Sequence, residues 1–500
     1  DDLDRFILKV RVFGFFFASL DIRQDSRRHT FVWETIFKNF PWFDIETFEK
    51  TDENTRINWL MTTNYRLEEN SFQDSFVRDT IRLFGTVAHI QRQNGHFGCH
   101  RYIISNCGSA LDVIKVLALA RLSFPDAETD HPVPLDIVPL FETIEDLAVC
   151  DQVMETLYKN EHYARHLANR NQIQTIMLGF SDGTKDGGYL RANWSIYRAK
   201  GALTRIARKY GISVIFFDGR GGPPGRGGGN NASYYAAHGK NIEDMAIQVT
   251  IQGQTVSSTY GTRPAARFNI ERLITAGLEN SLFGTHSAEM PEPDMQIMDE
   301  LAQAAYESYL QLKNHAEFVP YLEKRTPLPW YGDANIASRP TRRNSGEELK
   351  FEDLRAIPFV GAWAQMKQNI PGFYGFGSAL AAFKGRRWAG LVRLYKESLF
   401  FRTLVENSMQ ALSKTNFKAT RYLHDDPRFG DFWKMMSQEY ELTREKLLEL
   451  SAQKELLQEN VRSRESIAIR EYLILPVITI QQYALQQLSK PDISAEKRKI

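Results

Sequence analysis

Between residues 136 and 217 the chain alternates short, nearly unbroken apolar runs with helix-period stretches, and few folds accommodate that order. Asp136 to Phe141 (DIVPLF), Thr175 to Phe180 (TIMLGF) and Ser213 to Phe217 (SVIFF) show little polar alternation. Strands buried on both faces of a parallel sheet read this way. Between the last two runs, Leu190, Trp194 and Tyr197, then Leu203, Ile206 and Tyr210, recur at three- and four-residue spacing. Gly211 follows at the position where helices end. A β-α-β-α-β order predicts a parallel α/β sheet or barrel. Phe15 to Leu20 (FFFASL), Arg101 to Ser105 (RYIIS) and Ala246 to Ile251 (AIQVTI) add three further strand candidates.

The texture changes near residue 285, so two domains are expected: an α/β part over 1–285 and a mostly helical part over 286–500. Glu445 to Glu471 is rich in helix formers, and without a strict heptad it reads as a bundle helix rather than a coiled coil. Thr326 to Glu348 reads as a long loop, and no internal repeat is visible. The longest apolar runs, Phe13 to Leu20 and Leu473 to Ile480, fall short of the ~20 residues of a membrane span and read as buried strand or helix segments. At 43% hydrophobic and 25% charged the 500 residues are globular in composition, which excludes wholesale disorder. A net charge of +1, from 62 basic and 61 acidic residues, argues against a bulk polyanion binder, so neither nucleic acid nor membrane is expected as a partner. Cys99, Cys107 and Cys150 cannot build a disulfide framework, which fits a reducing cytoplasm. The start at Asp1, without a methionine or signal peptide, reads as a fragment or processed piece.

Charged residues crowd the ends of four predicted strands: Asp21 and Arg23; Glu142, Glu145 and Asp146; Asp182, Lys185 and Asp186; Arg220 and Arg226. In an α/β barrel the strand C-termini share one rim, where active sites are built. Glu142 and Asp182, without Cys or His nearby, suggest an oxygen-only magnesium or manganese site. Lys185 and the arginines suit a phosphorylated or polycarboxylate substrate. The blander alternative is that Glu142 and Asp182 merely cap the following helices. Repetition at four strand ends favours a site.

The segment from Asp218 to Gly229 (DGRGGPPGRGGG) holds seven glycines and two arginines. Such a loop lets backbone wrap an anion closely. It is neither a P-loop nor a dinucleotide fingerprint. A flexible surface loop and an RNA-binding glycine-arginine tract are its rivals. His96 and His100 flank Cys99, but no second ligand pair follows at finger spacing, so they read as scattered surface residues. Trp194, Trp330 and Trp363 read as core.

The motifs DIRQDSRRHT (21–30), YIIS (102–105), VPLFETIEDL (138–147), MLGFSDGTKDGG (177–188), FDGRGGPPGRGGG (217–229), SRPTRR (338–343) and LRAIPFVGAW (354–363) occur in one order along almost all 500 residues. Together they resemble the phosphoenolpyruvate carboxylase family. The resemblance implies a modified TIM-type (β/α)8 barrel, incomplete here, with a large all-helical C-terminal region. It implies that bicarbonate and phosphoenolpyruvate give oxaloacetate and phosphate through carboxyphosphate and the pyruvate enolate, an anaplerotic reaction that needs magnesium or manganese. Carried over by motif, Glu142 and Asp182 would be metal ligands. Lys185, Arg220 and Arg226 would be catalytic. Arg23, Arg220, Arg339 and Arg355 would bind the substrate anion, and Leu140 and Met177 would line an apolar pocket at its methylene carbon. Arg226, Lys414 and Arg470 would form a feedback-inhibitor site, and the assembly would be a cytoplasmic homotetramer.

Three departures from the family pattern stand out. No segment matches the family's amino-terminal half with its Thr-x-His-Pro histidine, so the chain alone is expected to be inactive and to fold poorly. Asp218 stands where most members have histidine. The tail from Glu496 to Ile500 lacks the family's asparagine, which puts aspartate or malate inhibition in doubt. The competing expectations are a paralogue that binds without turnover and an RNA binder.

Overall fold

The β-α-β order is realised as a six-stranded sheet whose strands neighbour one another in chain order. The computed structural model describes residues 1–40, 45–124, 132–229, 231–251, 253–283, 289–331 and 349–489. Its strands are β1 (Asp21–Asp25), β2 (Arg101–Ser105), β3 (Asp136–Phe141), β4 (Ile173–Leu178), β5 (Ser213–Asp218) and β6 (Ile247–Val249). The pairs β1–β2, β2–β3 and β3–β4 are parallel. The structure is thus α/β and mostly helical.

Contacts divide the chain into two units. The first comprises Asp1–Leu178, Ala199–Phe217 and Ala246–Gln248. Here the crossover from β2 to β3 runs through the helix Ala110–Ser123, which is apolar on nearly every face and buried almost throughout. A capping box between Ser109 and Asp112 starts it. At the C-terminal end of the sheet Leu140 lies opposite Met177 and Phe141 opposite Leu178. Leu140 and Met177 pack with Ile103, Val138 and Phe217, each such burial contributing roughly 1.5–3 kcal/mol.

The second unit comprises Gly179–Arg198, Asp218–Met245 and Val249–Ile500. In it Phe318, Tyr321, Phe359 and Trp363 are buried; the Trp363 ring meets the other three, and Phe432 of the helix Gly430–Ser451 meets Phe318 and Tyr321. The buried Glu439 carboxylate accepts from the Gly375 and Ser378 amides (3.0 and 3.1 Å) and from the Ser378 hydroxyl. Burial raises its pKa, and these donors offset part of that rise.

Several sequence expectations need correction. The first strand is not FFFASL but the polar DIRQD that follows it. Phe15 is 94% exposed and Phe17 adopts a positive φ of 57°. Strand identity here comes from pairing: Asp21 binds Arg101 (2.7 Å) across the β1–β2 ladder. Asp21 and Arg23 therefore lie within β1 instead of after it. Glu445–Glu471 is not one helix, because the helix Gly430–Ser451 ends at Ala452 in the left-handed region and the next begins at Val461. Leu473–Ile480 is helical, yet Leu473, Val477 and Ile480 are exposed. Trp194 and Trp363 are core, whereas Trp330 is exposed. Cys99 and His100 are buried rather than scattered on the surface. His100 faces Asp136 at 3.7 Å, and His96 meets Arg170 at 2.8 Å. All three cysteines are free and buried. Among the described residues no helix is long and apolar enough to cross a membrane. Most of the Thr326–Glu348 loop lies outside the described residues.

Candidate active site

Past the end of β5 the glycine-rich segment folds back on itself. The Gly221 amide donates to the Arg226 carbonyl (2.7 Å), and the Arg226 and Gly228 amides donate to the Pro223 carbonyl (2.9 and 3.0 Å). A short 3₁₀ turn, Pro224–Arg226, forms the bend. Glycine is required at Gly227, whose φ is +72° and where a Cβ would lie 2.4 Å from the Phe180 Cβ. A flexible surface loop is therefore not what this sequence builds.

Both arginines of the loop turn inward. Arg220 is 3% exposed. Its Nε donates to the Gly227 carbonyl (2.6 Å), and its guanidinium carbon lies 3.9 Å from the centre of the Tyr234 ring. Arg226 is 2% exposed, with its Nε 3.4 Å from the Ser181 hydroxyl. Burial lowers its pKa to about 10, while Tyr331 and Asp182 act in the opposite sense. Each guanidinium keeps one buried nitrogen, Nη1 of Arg220 and Nη2 of Arg226, that makes no hydrogen bond among the described residues. Leaving such a donor unmet costs about 1–3 kcal/mol. Guanidinium donors of this kind are the groups that phosphate and carboxylate oxygens accept from.

The chain leaves β4 through Gly179 into the helix Phe180–Gly187, which has no side-chain cap. Asp182 sits in its first turn, where a carboxylate complements the helix dipole. Lys185 is held through its own carbonyl, which accepts from the Tyr309 hydroxyl (2.7 Å), and its ammonium lies 4.4 Å from the centre of the Phe351 ring. Asp186 instead binds Lys313 at 2.8 Å, a structural ion pair.

Glu142 directly follows β3. It is buried, and its Oε1 accepts from the Asn106 amide (2.8 Å). The cap of the next helix, Ile144–Lys159, is Thr143, boxed with Asp146. Capping thus accounts for Asp146 but not for Glu142. Among the described residues no group of three or more His, Cys, Asp or Glu is arranged to hold a metal. Glu142 belongs to the first unit and Asp182 to the second; each offers the carboxylate oxygens that magnesium or manganese takes alongside water and substrate oxygens. Such donors would not fit a zinc site built from Cys and His.

Arg23 in β1 pairs with Asp21 (3.2 Å) and stands 5.7 Å from the centre of the Phe217 ring. Arg101, which the sequence did not single out, also binds Asp21 and stands 6.0 Å from that centre. Arg355 immediately precedes the helix Ala356–Gln365. Arg339 lies outside the described residues. Lys414 and Arg470 belong to one charge cluster with Lys367 and Glu471, in which Lys367 binds Glu471 at 2.5 Å. Burial, Arg470 and Lys367 lower the Lys414 pKa. The neighbours of Arg226 are different: Ser181, Asp182 and Tyr331. Sequence reasoning also missed Tyr234 and Tyr235, and their only signal was position, directly after the glycine loop.

The family model described as phosphoenolpyruvate carboxylase matches residues 1–499. The chain is 33% identical over 517 residues to a protein of Corynebacterium diphtheriae named phosphoenolpyruvate carboxylase, covering 98% of this chain and 56% of that protein. A Prochlorococcus marinus protein of the same name is 31% identical over 509 residues, with 98% and 51% covered. One from Nitrosomonas europaea is 34% identical over 502 residues, with 96% and 53% covered. The chain spans about half the length of the curated relatives it matches.

Proposed function

The chain belongs to the phosphoenolpyruvate carboxylase family, and from that membership we propose that it carries the phosphoenolpyruvate-binding and carboxylating residues of such an enzyme. The observation that carries this reading is the pair of buried guanidiniums in the 218–229 loop, each with a nitrogen that makes no hydrogen bond among the described residues. A phosphoenolpyruvate molecule offers both a phosphate and a carboxylate, and planar guanidinium groups recognise either through paired donors.

In this reading Arg220 and Arg226 orient the substrate and neutralise charge at the phosphoryl group, with Arg23, Arg355 and Arg339 as further anion ligands. Lys185 supplies a point charge. Glu142 and Asp182 would hold a magnesium or manganese ion, whose contribution when bound is neutralisation of developing negative charge. Bicarbonate oxygen attacks phosphorus, the bond from phosphorus to the bridging oxygen breaks, and carboxyphosphate and the enolate of pyruvate result. Carboxyphosphate releases carbon dioxide and phosphate, and the enolate carbon bonds to carbon dioxide, giving oxaloacetate. Leu140 and Met177, packed against Ile103, Val138 and Phe217, give the enolate a dry wall that keeps water from protonating it. The same reading places the barrel portion in 1–285. It gives 286–500 the oligomer contacts of a cytoplasmic homotetramer and an inhibitor site of Arg226, Lys414 and Arg470.

The test is phosphate release from phosphoenolpyruvate by the intact protein, with bicarbonate and magnesium each omitted in turn. Release that needs both supports the reading. Tight substrate binding with no release in their presence would replace it with a paralogue that binds without turnover.

A further inference from the structure

Asp218 poses a problem for the anion site. It ends β5, its side chain is fully buried, and it stands two residues from Arg220, whose positive charge a ligand would need. A carboxylate in that position would draw the guanidinium to itself and cancel the charge. The structure shows a different set of bonds. Tyr235 donates its hydroxyl proton to Asp218 Oδ2 at 2.7 Å. Arg220 donates to the Gly227 and Gly228 carbonyls (2.6 and 3.4 Å). The face of Tyr234 covers the guanidinium at 3.9 Å, and Phe180 lies 5.6 Å from it.

The two tyrosines are neighbours on the short helix Asn231–Ala236 and are themselves braced. Their rings meet edge to face at 5.1 Å, and the buried His238 packs against both, at 4.9 and 5.5 Å. Cation–π contact with a ring face holds a guanidinium while leaving its edge nitrogens free. The nitrogen that makes no hydrogen bond among the described residues is on that edge, Nη1.

We infer that Tyr234 and Tyr235 are positioning residues that keep Arg220 available to an anionic ligand beside a buried carboxylate: Tyr235 engages Asp218, and Tyr234 holds the guanidinium by its face. The inference rests on the reading of Arg220 as a substrate ligand, and its ligand class is the phosphate or carboxylate of phosphoenolpyruvate. Asp218, at a position where the family resemblance leads one to expect histidine, is then engaged at Oδ2 by Tyr235 while Tyr234 holds Arg220.

Calorimetric titration of the intact protein with phosphoenolpyruvate and with inorganic phosphate tests this, alongside steady-state kinetics. Tyr234→Leu should weaken binding and raise KM about tenfold with kcat changed far less, and Tyr234→Phe should restore both to within about twofold. Tyr235→Phe, which deletes one oxygen atom, should weaken binding about fivefold as Asp218 turns toward Arg220. A merely structural role would instead lower the melting temperature and kcat and leave KM alone. Should Tyr234→Leu fail to fold, Tyr235→Phe decides the matter. Wild-type protein that binds neither anion would sink the substrate reading and this inference with it. Wild-type binding matched by both variants would overturn this inference alone.

Discussion

Lys185 and Arg220 differ in how far their positions constrain them, and that difference sets what mutation should do. Arg220 is enclosed by the Gly227 and Gly228 carbonyls and the Tyr234 ring. Arg220→Ala removes a charge and leaves those carbonyls without their donor, so both KM and stability should suffer. Lys185 is anchored through its backbone carbonyl by Tyr309, and its ammonium lies over Phe351. Lys185→Ala should leave the melting temperature within a few degrees of wild type while lowering kcat by at least about a hundredfold, the scale of losing one preorganised charge at a reacting centre. Normal turnover in Lys185→Ala would remove it from the catalytic set. Sequence motif singled out both residues as site candidates. It could not have located Tyr234 or Tyr235, because a tyrosine pair after a loop looks like core until its hydroxyl and ring face are seen to meet Asp218 and Arg220.

At the scale of elements, what was legible depended on what makes each element form. β2, β3 and β5 begin at the residues the apolar runs gave, since both faces of these strands are buried and hydrophobicity alone marks them. β4 stops two residues short of its run, as Gly179 ends it and Phe180 opens the next helix. β1 was displaced because its residues are polar and are held by Asp21–Arg101 pairing, which hydropathy does not register. The break at Ala452 was equally hidden: a left-handed alanine inside a run of helix formers carries no sequence mark. The glycine loop was legible as a special backbone, and two glycines give a paired prediction. Gly227 and Gly211 both have positive φ, +72° and +67°. A Cβ at Gly227 would strike Phe180, whereas at Gly211 nothing lies within 4 Å. Gly211→Ala should cost about 1 kcal/mol in thermal unfolding and leave activity intact. Gly227→Ala adds the clash to the strain and should cost roughly 2–4 kcal/mol, with turnover falling more than tenfold as the Arg220 anchor at the Gly227 carbonyl moves. Equal effects of the two would mean that the loop is free to yield.

For the molecule as a whole, charge makes two predictions. The two arginines that could have made the 218–229 tract an RNA binder are buried, and net charge is +1. Fluorescence anisotropy with single-stranded RNA should therefore show no salt-dependent binding between 50 and 200 mM salt, about the range over which phosphate contacts lose affinity steeply. The second prediction concerns acid. His29, hydrogen-bonded to the Tyr102 hydroxyl at 2.8 Å, and His166 are both buried in the first unit, and burial lowers each pKa to about 4. An unfolded chain would titrate these groups near 6.5. Above that pH both states hold neutral imidazoles and no penalty exists. As pH falls from 6.5 toward 4 the unfolded state takes up protons that the folded state refuses, so stability falls with pH. The loss reaches at most about 3 kcal/mol per histidine at pH 4 and levels off below it. His29→Gln keeps an amide within reach of the Tyr102 hydroxyl but cannot titrate. Its denaturation midpoint should decline less steeply than that of wild type between pH 6.5 and 4, and a double variant with His166→Gln less steeply still. Parallel pH profiles for all three proteins would mean that carboxylate protonation elsewhere governs acid unfolding and that these two imidazoles accept protons as readily in the folded state as outside it.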